Sequence, residues 1–330
     1  MKQALLFTGK KLLRAALLLL GVSLAAFLLM SASPLDPLQT NVGQAALGAM
    51  SQEQIAQLED YWGVNTPLPE RYLGWLSDAL HGDLGTSLLY RQPVLEIIGE
   101  RLGNSLGLLL FAWALSGILG FTLGVLAGAF RGRWPDRLIR GWCLLISSTP
   151  AFWLAILLLL VFSVWLGWFP TGLSVPIGVA ADSVTFLERL HHAVLPALTL
   201  SITGVSSIAL HTREKMMDVM ESDYVLFARA RGESLRSIVL RHGVRNVALP
   251  AITLQFASVS EIIGGSVLVE QVFSYPGLGQ AAVTAGLGSD LPLLLGITLF
   301  SALFVCAGNL IANLLYGVVD PKIRRGAAKS

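Results

Sequence analysis

Apolar residues along this chain fall into six runs, each about as long as a helix that crosses the hydrocarbon core of a bilayer. They cover Leu12–Met30, Ser105–Ala129, Ile139–Leu166, Val194–Leu210, Val247–Val269 and Leu291–Val319. The pattern predicts an all-α integral membrane protein with six transmembrane helices. The spacing is uneven. About 75 residues separate the first two runs, which predicts an external subdomain between them. The first run has a second reading: basic residues, an apolar stretch and then Ser31-Ala32-Ser33 also have the form of a signal peptide with its cleavage site.

Between the runs, charge alternates by side. The N-terminal tail, the loops after runs two and four, and the C-terminal tail hold 19 of the 23 Lys and Arg residues. Only Arg71, Arg91, Arg101 and Arg189 fall on the other side. Basic loops stay on the cytoplasmic face, so both termini are predicted to be cytoplasmic.

Composition narrows the function classes. Only 13% of the 330 residues are charged and 54% are hydrophobic, too few charges for a water-soluble surface. A net charge of +2 gives no reason to expect a nucleic-acid partner. Cys143 and Cys306 lie inside apolar runs, without disulfide or metal-ligand spacing. There is no G-x-x-x-x-G-K-[ST] loop and no H-E-x-x-H. An intramembrane serine protease would need a histidine inside the spans, yet His191, His192, His211 and His242 sit at span ends and His81 is external. No catalytic or metal-binding residues are assigned.

The external segment Ser31–Gly103 carries nine acidic and three basic residues. Ser51-Gln52-Glu53-Gln54 has capping-box spacing, and Ile55, Leu58 and Trp62 follow at helical intervals, so a short amphipathic helix is expected there. Gly120, Gly124 and Gly128 place a glycine groove on one face of span two, where another helix can approach closely.

The longest cytoplasmic loop is the most informative segment. Tyr224, Phe227 and Ala228 share one helix face, Gly232 interrupts, and Leu235, Ile238 and Val239 repeat the apolar spacing. A charged loop resting on headgroups explains the arginines but not this order. A helix–glycine–helix element that docks a cytoplasmic partner explains both.

That segment resembles the EAA loop of ABC importer permeases. Ala228, three residues and Gly232 match the second alanine and the glycine of the motif, with Leu226 and Phe227 in the first two positions. The terminal proline is absent. Arg241-His242-Gly243-Val244-Arg245-Asn246 instead resembles the dipeptide/oligopeptide/nickel branch. So do Pro67–Tyr72, Gly82–Ser87, Leu195–Leu198, Glu270–Gly279 and Asp320–Arg325, in order along nearly the whole chain.

The resemblance implies a type I ABC importer permease fold in the bacterial cytoplasmic (inner) membrane. It implies a second homologous permease subunit, cytoplasmic ATPase subunits that bind ATP and Mg, an external solute-binding protein, and no cofactor in this chain. Residues 1–100 are then the first span plus the external subdomain. Residues 101–320 are the permease core, with a coupling loop at about 211–246, and 321–330 form a cytoplasmic tail. Phe227, Ala228, Arg229, Gly232, Arg241 and His242 would couple the pore to the ATPase.

Glu261 lies near the middle of span five, where a charge costs about 2.5–3.5 kcal/mol. It is either a pore-facing carboxylate or a hydrogen-bonded group between helices. Asn309 and Asn313 share a face of span six and read more simply as helix–helix contacts, with Asn309 also a pore candidate. Glu270 is expected to shape the turn that follows it. Glu261–Gly265 and the short external loop Trp168–His191 resemble nickel-transporting members, so the cargo expected is nickel or a nickel chelate, with dipeptides or oligopeptides as the alternative. A membrane scaffold without a pore is the reading of another class.

Overall fold

A computed structural model describes residues 2–33, 37–61, 65–179 and 183–319, with side chains left undescribed at 2–12, 37, 44–45, 61, 260 and 309–319. The C-terminal tail and Trp62 therefore lie outside the described residues, as does the side chain of Asn309. Fifteen α-helices follow one another: α1 (Lys2–Ser31), α2 (Pro37–Val42), α3 (Gln44–Ala49), α4 (Gln52–Tyr61), α5 (Leu68–Leu80), α6 (Val94–Ala129), α7 (Trp134–Ser147), α8 (Ala151–Leu158), α9 (Phe186–Met220), α10 (Asp223–Ala230), α11 (Leu235–Ile238), α12 (Val244–Ala257), α13 (Val259–Val272), α14 (Leu278–Leu287) and α15 (Leu291–Val319). Single π-helical segments extend α8 over Leu159–Trp165 and join α11 to α12 over Val239–Gly243.

Among the described residues four helices are long and apolar enough to cross a bilayer: α1 over Leu13–Ser31, α6, α9, and α15 over Leu291–Gly308. Two further spans are broken. The pair α7–α8 bends by 108°, and the pair formed by 235–257 and 261–272 bends by 55°. Each pair taken as one span gives the six expected from the sequence. The first break is at Ser147–Pro150. Proline lacks the N–H that would continue the helix, and it disfavours helical geometry at Thr149. Ser147 and Ser148 donate to Leu144 O, which also keeps Ser148 N, and Thr149 donates to Leu145 O, so the hydroxyls turn back onto the last turn of α7. The helices overrun the hydropathy boundaries. At 36 residues α6 is about 54 Å long, well beyond the hydrocarbon core.

The chain forms two compact units. One comprises residues 1–103 and 277–306, the other 104–276 and 307–330. In the first, Leu84, Val94, Ile97 and Ile98 pack on Leu278, Ala281, Leu293 and Ile297. Gly296 sits under Val94, where a Cβ would come within 2.5 Å of Val94 Cγ1. Asp290, fully buried, fastens the 82–93 turn: it accepts from Ser87 Oγ (2.5 Å) and Leu89 N (3.1 Å). The capping box expected at α4 is present, with Ser51 N donating to Gln54 Oε1 (2.9 Å) and Gln54 N to Ser51 Oγ (3.3 Å).

In the second unit the glycine groove of α6 takes α9. Cβ atoms at Gly120, Gly124 and Gly128 would meet Ile208, Thr212 and Met216 at 2.5–2.8 Å. Both helices advance four residues per contact, so they run parallel at close approach. Around Leu108, Ala112, Ala155, Leu195, Leu200, Val269 and Phe273 a continuous core binds α6, α8, α9 and α13.

Candidate functional site: a cytoplasmic elbow

The loop between α9 and α12 is ordered as two short helices at an angle. Ser222 precedes α10, and Ser234 caps α11 by accepting from Ser237 N (3.3 Å). Between them Gly232 adopts φ +82°, a left-handed conformation that costs other residues roughly 1–2 kcal/mol. Gly232 N donates to Arg229 O (2.9 Å) and Glu233 N to Ala228 O (3.1 Å), which closes the end of α10.

What seats the elbow is a small core. Val225, Ala228 and Ile238 are buried together, with Val219 and Met220 of α9 against them. Tyr224, Leu226 and Phe227 point outward, the last two 67% exposed, and Leu240 is 57% exposed. The face expected from spacing is therefore divided. Ala228 anchors the elbow inward, while Phe227 is offered to water. The reason is the i,i+3 seam of Val225 and Ala228, which the buried side of α10 follows. Arg229, Gly232 and Arg241 are exposed.

His242 is tied into the same element. Its Nε2 lies 3.6 Å from Glu233 Oε2, and its ring centre lies 6.2 Å from that of Tyr224. Asn246 Nδ2 donates to His242 O (2.7 Å) and to Tyr224 Oη (3.4 Å). Gly243 passes beneath Met216, where a Cβ would collide with the methyl group. Glu233 was missed in the sequence, although its position right after the glycine was a usable signal. Beside the elbow, a cavity of about 470 Å³ lies between Gly128, Arg131, Glu221, Arg229, Glu233 and Ile238.

Glu261 opens α13, three residues after the break, and its side chain is exposed in the single chain. Glu270 is fully buried and accepts from Ser105 Oγ (2.8 Å), and its carbonyl accepts from Tyr275 N (2.8 Å). It braces the turn, as the sequence suggested. His191 and His192 each contact a backbone carbonyl, Trp168 O at 3.0 Å and Gly172 O at 2.9 Å, and so hold the external loop. Among the described residues no group of three His, Cys, Asp or Glu is placed to hold a metal ion.

Long and broken apolar helices, with an ordered basic elbow on the cytoplasmic side that exposes Leu226 and Phe227, define a multi-pass α-helical membrane protein. Residues 120–325 match the family described as "Binding-protein-dependent transport system inner membrane component", and residues 4–109 match "Binding-prot-dependent transport system membrane comp, N-term". The chain belongs to this family of inner-membrane components, and it is a permease subunit of an ABC importer. It is 37% identical over 309 residues to the oligopeptide transport system permease protein AppB of Bacillus subtilis (strain 168), covering 93% of this chain and 95% of that protein. A putative peptide transport system permease protein of Brucella abortus (strain 2308) is 37% identical over 315 residues, 96% of this chain and 98% of its own length. The glutathione transport system permease protein GsiC of Escherichia coli O6:H1 is 36% identical over 316 residues, 96% of this chain and 97% of its own length.

Proposed function

We propose that this permease carries peptides inward. The observation that carries the reading is the agreement of these relatives. Matched over at least 93% of the chain, they are named for oligopeptide, peptide and glutathione transport. Nickel, expected from Glu261–Gly265 and the short external loop, finds no support in those names, and the two histidines near that loop are engaged with its backbone.

On this reading the elbow receives the work. The exposed Leu226 and Phe227 on α10 and Leu240 on the second arm offer apolar surface among charged residues, which supports a protein contact. It docks into a cytoplasmic ATPase that binds ATP and Mg, while a second homologous permease completes the pore and an external binding protein delivers cargo. Arg229 and Arg241 flank the contact, and the Glu233–His242 pair keeps the elbow rigid enough to transmit a push into α12 and α13.

Glu261 then belongs to the cargo path. Non-helical backbone at membrane depth is tolerated where it meets protein or water, and Glu261 stands next to such a break. A carboxylate there favours the ammonium end of a peptide.

The test is uptake by the complex reconstituted with its partner subunits. Labelled dipeptide and oligopeptide should accumulate with ATP, and labelled nickel should not. Accumulation of nickel without peptide would overturn the cargo; failure of both, with the ATPase bound and active, would overturn the transport reading.

A further inference from the structure

A second basic feature lies on the cytoplasmic side, apart from the elbow's tip. Arg131, Asp136, Arg137, Arg140, Arg213 and Met217 line a cavity of about 400 Å³ where α7 meets α9. Two of its four arginines are already matched. Arg131 pairs with Glu221, and Arg213 grips Asp136 in a two-pronged pair, Nε to Oδ1 at 2.5 Å and Nη2 to Oδ2 at 2.9 Å. Among the described residues no carboxylate forms a salt bridge with Arg137 or Arg140, although Arg140 lies near enough to Asp136 to act on its charge; four arginines against Asp136 and Glu221 leave an excess of two positive charges.

The neighbouring surface says where an anion for this cavity would come from. Trp134, Leu138, Trp142 and Leu145 follow one another at three- and four-residue intervals along α7 and are 39–73% exposed. They form an apolar stripe along α7, which starts within one turn of Arg137 on the adjoining face of the helix. A cation pocket at the cytoplasmic rim, with an exposed apolar stripe headed by a tryptophan on the adjoining face of the same helix, complements the two parts of a phospholipid: an anionic headgroup and acyl chains.

We propose that the cavity holds the phosphate headgroup of an anionic phospholipid of the inner leaflet, with Arg137 and Arg140 as its ligands and the Trp134–Leu145 stripe against its chains. Asp136 neutralises Arg213 and orients it, so the free charge of the pocket is set by the two unmatched arginines. Bound lipid would brace the end of α7 against α9, whose next turns carry the elbow. This assignment is independent of the cargo.

Native mass spectrometry of the full-length protein in detergent, titrated with phosphatidylglycerol and separately with phosphatidylcholine, reads the site. Phosphatidylglycerol should be retained preferentially. Arg137→Gln with Arg140→Gln should weaken it by roughly 25-fold, about fivefold for each charge. The corresponding double lysine variant should keep most of the binding, and Arg236→Gln, outside the cavity, should leave it unchanged. Equal retention of both lipids, or an unaffected double variant, overturns the proposal. Displacement by excess inorganic phosphate overturns it too, because the site would then take a soluble anion. Should the double variant fold poorly, the wild type decides. In vesicles, brominated phosphatidylglycerol should quench Trp134 fluorescence, taken as the difference from Trp134→Phe, more than brominated phosphatidylcholine, and equal quenching overturns the assignment.

Discussion

Glu233 places its carboxylate 3.6 Å from the imidazole Nε2 of His242, within the arm of the elbow that follows Gly232. The same carboxylate accepts from Ser237 Oγ (3.3 Å). Across Gly232 itself, Asn246 Nδ2 donates to Tyr224 Oη (3.4 Å) and Glu233 N to Ala228 O (3.1 Å), so the hinge is closed by side chains as well as by backbone.

Substitution at Gly232 isolates the angle of that hinge. A Cβ there meets nothing within 4 Å, so the penalty comes from φ +82° alone. Gly232→Val should insert normally and lose uptake. Gly232→Asn, which tolerates left-handed geometry better, should retain more activity than Gly232→Val. Uptake normalised to membrane protein level measures both, and normal transport by Gly232→Val would remove the hinge from the coupling path.

The two residues next to each other on α10 should fail differently. Phe227 is 67% exposed, so Phe227→Ala should leave thermal stability nearly unchanged and reduce co-purification of the ATPase. Ala228 is 4% exposed within the Val225–Ile238 core, so Ala228→Leu should overpack it and destabilise the elbow by about 1–3 kcal/mol. A thermal melt beside a pull-down separates the cases. If Phe227→Ala lowered stability as much as Ala228→Leu, Phe227 would be a packing residue.

The spans were legible because lipid demands them. A run such as Leu291–Val319 has no other stable solvent, and basic loops report which side they face. The groove at Gly120, Gly124 and Gly128 was legible for the same reason, since spacing of four fixes a face. Other features were not. Asp290 meets Ser87 across 203 positions of sequence, and no local period encodes that. Span three was expected to run unbroken over 139–166, although Pro150 stands in its middle. The proline was visible, but whether hydroxyls would support a full break depends on Ser147, Ser148 and Thr149 turning back onto their own helix. On α10, the sequence grouped Phe227 with Ala228, because neighbouring apolar residues look alike until a partner surface selects one of them.

Helix α6 offers an internal control for close packing. A methyl at Gly124 would come within 2.5 Å of Thr212 Cβ and 2.7 Å of Ala209 O, whereas one at Gly107 meets nothing within 4 Å. Gly124→Ala should therefore cost about 1–3 kcal/mol. Gly107→Ala should be neutral or slightly stabilising, since alanine loses less backbone freedom on folding. Melting temperatures in one detergent compare them directly. Equal shifts for the two would mean that α6 and α9 separate enough to absorb a methyl group, and the parallel contact would not be a close one.

The ion pair that joins α7 to α9 predicts a pH dependence with a definite sign. Asp136 and Arg213 lie on the cytoplasmic ends of α7 and α9, three residues beyond the apolar runs 139–166 and 194–210, with side chains 5% and 13% exposed. Hydrogen bonding from Arg213, aided by Gly132 N, holds the Asp136 carboxyl below the usual carboxylate range, against the opposing pull of desolvation. A depressed folded-state value means that the pair contributes in full above the unfolded carboxylate value, about 3.9, and is lost as pH falls through the lower folded value. Stability of the wild type should therefore be flat in this contribution from neutral pH down to about 5. Asp136→Asn keeps the shape but leaves Arg213 with no counter-charge of its own, and should lower stability by about 3 kcal/mol at neutral pH. The gap between wild type and Asp136→Asn should narrow only below the ordinary carboxylate range, where the wild-type carboxyl also loses its charge. Thermal melts of both proteins across that range test the claim, and a gap that closed near pH 6 would show that Asp136 is not held ionised by Arg213.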